Sequence, residues 1–177
     1  MRFLRSWIVG LACVLPAAAA AKDDARVDRE RALAAAFEVM NAARYAALVT
    51  RGKDGFSQAR IVDPLLGADH TIWIATNPLT RKVEEIRRDG RVTLIFFNAS
   101  AKEYVTVHGR SWAVADAATK AARWKPEWQG YYKNRHEGPD FELLEVRPIR
   151  YEVSSARLGF ANDAKTWKPV IVEMNGK

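Results

Sequence analysis

Residues 72–97, IWIATNPLTRKVEEIRRDGRVTLIFF, decide the fold. Strand alternation over residues 70–76 sends Ile72 and Ile74 to one face and Trp73 and Ala75 to the other, with Thr76 at the strand's end. A short helix follows. Either Asn77 caps it with Pro78 in the first helical position, or Thr80 caps a shorter one, and Gly90 closes it. The run 92–97, apolar but for Thr93, then reads as a strand buried on both faces. Strand, short helix and strand thus follow one another in quick succession.

Working outward, residues 28–44 are rich in helix formers and place Leu33, Phe37 and Met40 on one stripe, with Asp28 as the cap. Two β-like runs flank Gly52-Lys53-Asp54-Gly55, whose Asp-Gly pair is a hairpin signal, and Pro64 ends the second run. Residues 103–115 alternate over a long span with Gly109 inside, which predicts one long strand bent at a bulge. Asp116 caps a second helix candidate, an aromatic-rich connection spans 124–140, and residues 141–155 supply two more strands interrupted by Pro148. The expectation is a mainly β (α+β) fold, a split β-barrel of six to seven mostly antiparallel strands with small peripheral helices. Helices do not alternate with strands, so a layered parallel sheet is disfavoured.

The chain opens with two arginines, an apolar run over 7–15 and five alanines before a charged stretch, the tripartite pattern of a secretory signal. The apolar part falls short of the roughly 20 residues of a spanning helix. Residues 1–21 are therefore read as a Sec-type signal peptide cleaved after Ala19, Ala20 or Ala21, leaving no stable membrane anchor and placing the protein in the periplasm or outside the cell. A lipid-modified Cys13 is disfavoured because Gly10 sits where such sites carry a larger aliphatic residue. That cysteine is the only one, so the mature chain would hold none, as suits an oxidising compartment. Residues 22–177 make a single domain of roughly 155 residues. Loss of Arg2 and Arg5 would lower the formal charge from +7 to +5. No Lys/Arg block exceeds two consecutive residues, so the basic balance reads as a solvated surface and not as a nucleic-acid face. His70, His108 and His136 are too scattered for a metal site, so no metal is expected.

Arg81 and Lys82 beside a helix start are unusual, because that end carries partial positive charge and prefers acidic neighbours. A phosphate would satisfy both cations together with exposed N–H groups and a hydroxyl, and Arg60 would add a third cation if its strand lies alongside. The alternative is a solvated pair of cations bonded to Glu84, Glu85 or Asp89.

The 72–97 stretch, followed by YVTVHGRSWAVAD, resembles the FMN-binding split-barrel family of pyridoxamine 5′-phosphate oxidase. WKPEW at 124–128 and PDFELLEVRPIRYE at 139–152 are similar to its general-stress-protein branch. The resemblance implies FMN as cofactor, with Arg60, Arg81 and Lys82 on its phosphate and Thr80 as a hydroxyl donor. Ile61, Val62, Ala75 and Thr76 would line the ring and ribityl chain. It further implies a homodimer with flavin sites at the subunit interface, Tyr104 replacing the glutamine that family members carry on the partner side. A lysine that grips the substrate phosphate in the oxidase proper is replaced by Leu65, and the later Arg-x-His is matched only by Arg157-Leu158-Gly159. The expected function is therefore an exported FMN-dependent oxidoreductase that exchanges electrons with a small-molecule donor or acceptor and is not a true pyridoxamine phosphate oxidase. A non-catalytic module that sequesters flavin or haem is the alternative. Arg60→Ala and Lys82→Ala are expected to weaken FMN binding while sparing the fold.

Overall fold

The computed structural model describes residues 17–174, with side chains from Asp28 onward. The signal-peptide reading of residues 1–16, with Cys13, falls outside them. Helix α1 (Ala17–Ala43) begins upstream of the expected start and passes through Ala19, Ala20 and Ala21. Asp28 is consequently not a cap; it lies inside the helix and accepts a hydrogen bond from Arg31. Leu33 and Met40 are buried as the stripe requires, joined by Ala32, Ala36 and Val39.

The strands form one curled, antiparallel sheet. β1 (Ala46–Arg51) and β2 (Ser57–Val62) make the expected hairpin, with Gly55 in the left-handed region at φ 83°. Pro64 does not close this part of the sheet. After Asp63 it opens β3 (Pro64–Leu66), where a first strand position tolerates its missing N–H. β3 pairs with β4 (Ile72–Thr76), α2 (Arg81–Arg88) follows, and β5 (Arg91–Asn98) leads into β6 (Glu103–Ala113). Beyond α3 (Ala117–Ala122) and two 3₁₀ turns come β7 (Glu142–Ser154) and β8 (Val170–Glu173).

The order β2-β1-β5-β6-β7-β4-β3, with β8 also on β7, gives a split half-barrel of eight strands. Seven lie on one path; its ends, β2 and β3, share no ladder among the described residues and are joined through Asp63. The count differs from the expectation in three places. β3 and β8 are additional, and the two strands expected around Pro148 are one. β7 continues because the register slips there: Gly109 faces Pro148, His108 faces Arg150, and Ile149 is the extra residue of a bulge. A proline needs no ladder hydrogen bond at such a point, and a Cβ on Gly109 would lie 2.7 Å from the Arg147 carbonyl.

The inner face buries Leu48, Leu94, Phe96, Val105, Val107, Tyr151 and Val153 against α1. Ile72 and Ile74 join that core, whereas Trp73 enters a second cluster with Val114, Trp128, Phe141 and Leu143, so the alternation read for β4 holds. β5 is not buried on both faces. Val92, Leu94 and Phe96 point inward, but Ile95 and Phe97 lie exposed on the outer face, which nothing among the described residues covers there.

Candidate phosphate-binding site

α2 is the shorter of the two alternatives: Thr80 is its N-cap residue, and Asn77 instead accepts from the Leu79 N–H. Gly90 does not adopt a left-handed cap; Asp89 is the C-cap, and Gly90 is required by close approach, since its Cβ would meet the Ser111 carbonyl at 2.8 Å. The Thr80 side chain makes no cap hydrogen bond to the helix and donates back to the Asn77 carbonyl.

This turn gathers three predicted residues. Lys82 Nζ donates to Thr76 Oγ1 at 2.8 Å and Thr80 Oγ1 at 3.2 Å, and the two hydroxyls stand 3.1 Å apart. Among the described residues no carboxylate forms an ion pair with Lys82. Partial burial pushes its pKa down, and the nearby charge of Arg60 pushes it further, against a smaller opposing pull from Glu85. A half-buried ammonium held only by neutral hydroxyls is a position where an anion would be stabilised.

Arg60 approaches from β2, whose ladder partner is β1 and not β4; α2 bridges the gap. The helix delivers Glu85, whose side chain is 3% exposed, to Arg60 Nη2 at 2.7 Å and to Arg81 Nε at 3.2 Å. Thr50 on β1 donates to the same carboxylate and accepts from Arg60 Nη1. Arg81 is mostly exposed and belongs to the Glu85 side of the helix, so the ion-pair alternative from the sequence holds for Arg81 while Lys82 stays free of it. Arg60→Ala can no longer be expected to spare the fold, because it would strip a buried carboxylate of its closest cation.

The remaining predicted residues lie around this centre. Val62 is buried in the main core, Ala75 packs against the aromatic cluster, and Ile61 is exposed on the outer sheet face. Tyr104 faces outward opposite Phe97 in β6, separated from β2 by β1 and β5, so one protomer does not bring it to the phosphate cluster. Sequence reasoning missed Thr50 altogether and treated Glu85 only as a surface partner. The i,i+4 spacing of Arg81 and Glu85 was the available signal; burial was not visible in it. A further unanticipated contact is Lys125 to Asp63 at 2.8 Å, which ties the tryptophan-rich segment to the corner between β2 and β3. Of that segment's aromatics, Trp124, Trp128 and Tyr132 pack together, while Tyr131 points outward.

A match to the pyridoxamine 5′-phosphate oxidase profile covers residues 32–154. The chain belongs to that family. Its fold recurs in a family member from Clostridium acetobutylicum related to general stress protein 26 of B. subtilis, at 19% identity over 77% of this chain and 90% of that one, with a TM-score of 0.65. General stress protein 26 from Bacillus anthracis str. Sterne is similar at 16% identity over 82% and 98%, TM-score 0.63. An oxidase-related FMN-binding protein from Nostoc punctiforme is similar at 16% identity over 82% and 96%, TM-score 0.54. None of the curated proteins matches this chain. Within the family frame, the Arg157 that stood nearest to a second substrate-binding arginine bonds Glu103 through Nε and Nη2 and Glu38 through Nη1.

Proposed function

We propose that this family member binds FMN and acts as an exported FMN-dependent oxidoreductase. The observation that carries the reading is Lys82, an ammonium with hydroxyl partners and, among the described residues, no ion-paired carboxylate, beside Thr76, Thr80 and Arg60. A phosphate monoester fits: it accepts from the Lys82 ammonium, the free N–H groups of Arg60 and the Thr76 hydroxyl, while Thr80 keeps its proton on the Asn77 carbonyl, and it supplies the missing negative charge. When bound, FMN supplies the hydride or electron transfer, and the chain's residues hold and orient it. Ile61, Val62, Ala75 and Thr76 flank the ring and ribityl chain in this reading. Tyr104 reaches the site from a second copy. Support for such a homodimer comes from the exposed apolar outer face around Ile61, Ile95 and Phe97. Leu65 in place of a lysine, and Arg157 tied to Glu103 and Glu38, leave pyridoxamine phosphate without its cationic grips.

Fluorescence titration with FMN and riboflavin tests the reading. The parent protein should prefer FMN strongly, and Lys82→Ala should weaken FMN roughly tenfold to a hundredfold with little change for riboflavin. Equal losses for both ligands would make Lys82 structural. Bound flavin that neither NADH, NADPH nor a small-molecule dye reduces or reoxidises would leave a binding module instead of an enzyme. Sedimentation of the same samples should give a dimer. The secreted chain should begin at Ala20, Ala21 or Lys22 on N-terminal sequencing.

A further inference from the structure

Arg60 is not merely near the phosphate cluster; its guanidinium is held by a defined set of partners. Of its five N–H groups, Nη1 donates to Leu48 O at 3.4 Å and to Thr50 Oγ1 at 2.5 Å, and Nη2 donates to Glu85 Oε2 at 2.7 Å. Thr50 accepts from Arg60, so its single proton goes to Glu85 Oε2, 2.5 Å away. Because Thr50 and Glu85 are bonded to each other, both sit across the Nη1/Nη2 end of the guanidinium. The Nε–H and one Nη2–H have no acceptor among the described residues, and this Nε side is one of the two edges with which arginine grips an oxyanion bidentately.

We infer that Thr50 and Glu85 are positioning residues which clamp the Nη end of Arg60 and so present its Nε edge to the ligand's phosphate. This rests on the phosphate reading above and names two residues that touch no ligand themselves. Both are placed by the fold. Thr50 lies opposite Gln58 in the hairpin ladder and points to the inner face, and Glu85 is carried in by the first turns of α2. The clamp is made of short, buried contacts: the Arg60 side chain is 19% exposed and that of Glu85 3%. An unclamped arginine would distribute over several rotamers and bind phosphate only after losing that freedom.

Two substitutions separate geometry from charge. Thr50→Val removes the hydroxyl at nearly constant volume, and Glu85→Asp keeps the charge but withdraws the carboxylate by one methylene. Each should lower the ratio of FMN to riboflavin affinity by about three- to tenfold, because a charge-assisted contact is misaligned and not deleted. Thr50→Ser should restore it. In an Arg60→Lys background, which keeps a cation for Glu85 but has no fork to orient, neither substitution should alter the ratio further. The inference is overturned if Thr50→Val and Glu85→Asp leave the ratio unchanged while Arg60→Lys lowers it. It is equally overturned if their effects persist undiminished in the Arg60→Lys protein. A parent that binds riboflavin as well as FMN would instead remove the phosphate reading itself, so the two failures are told apart in one set of titrations.

Discussion

Arg60 and Arg157 both meet a deeply buried glutamate, yet they present opposite edges to it. Arg157 turns Nε and Nη2 onto the two oxygens of Glu103, at 2.9 and 3.1 Å, and spends Nη1 on Glu38 at 2.6 Å. That bidentate grip is closed: Glu103 is 2% exposed and also receives Ser155 and Asn98. Arg60 uses the Nη end for Glu85 and Thr50 and leaves its Nε edge open among the described residues, with the hydroxyl-bound ammonium of Lys82 nearby. One arginine fastens the turn after β7 to β6 and α1 through its Nε edge, whereas the other is fastened by the protein along its Nη end. Charge and burial alone do not tell the two arginines apart; the edge left open on Arg60 does, and that edge is where the proposed phosphate would bind.

The largest effect should come from breaking the closed pair. Arg157→Ala removes the only cation bonded to Glu103 among the described residues, and a buried carboxylate left so is expected to lower the unfolding free energy clearly in denaturant titrations. Its preference for FMN over riboflavin should stay at the parent value. Hydrogen bonds from Arg157, aided by Ser155, hold the Glu103 pKa below the usual carboxylate range against its burial. The stability it contributes is therefore present above pH 4.5 and is lost as pH falls through the lowered pKa, and Arg157→Ala should flatten that acid limb. If Arg157→Ala shifted flavin preference and left stability untouched, the contrast between the two arginines would be wrong.

Arg60→Ala should have a smaller structural effect, on the order of 1–2 kcal/mol, since Glu85 keeps Arg81 and Thr50 as partners. Its ligand effect should be the larger of the two variants, a roughly ten- to hundredfold loss for FMN beyond any loss for riboflavin. Stability measured alongside the titrations separates the two contributions.

Much of this was legible in the sequence because it is local. Alternation in β4, the Asp-Gly turn between β1 and β2, the Asp116 cap and the spacing from Thr76 to Lys82 each depend on residues a few positions apart. What escaped depends on register between distant strands. The polarity of β5 could not be read from a run that is apolar but for Thr93, because Ile95 and Phe97 look the same whether a helix covers them or not. β7 hides its continuity behind Pro148, which only the bulge opposite Gly109 accommodates. Thr50 gave no signal of its own: its role follows from the β1–β2 ladder setting it beside Arg60, and from α2 folding back onto β1.

The finest test of the open site is its pH dependence. Burial, then the charge of Arg60, lowers the Lys82 pKa from the ordinary 10.5, so in the free protein this ammonium loses its proton earlier on the alkaline side than an exposed lysine would. A bound phosphate favours the charged form and raises the pKa again. Between the lowered and the restored value, FMN binding takes up a proton, and affinity must fall as pH rises, by at most about tenfold per pH unit. On the acidic side affinity should rise as the phosphate passes its second ionisation near pH ~6. Taking the ratio of FMN to riboflavin affinity cancels titration of the shared ring. That ratio should therefore climb from pH ~5 to ~7, hold, and decline before the pH at which free lysine titrates. Lys82→Arg, with a pKa above the accessible range, should keep the ratio high on the alkaline side. A ratio that stays flat through pH 10.5 in the parent, or that declines identically in Lys82→Arg, would show that Lys82 does not meet the phosphate, and the open edge of Arg60 would have to serve another anion.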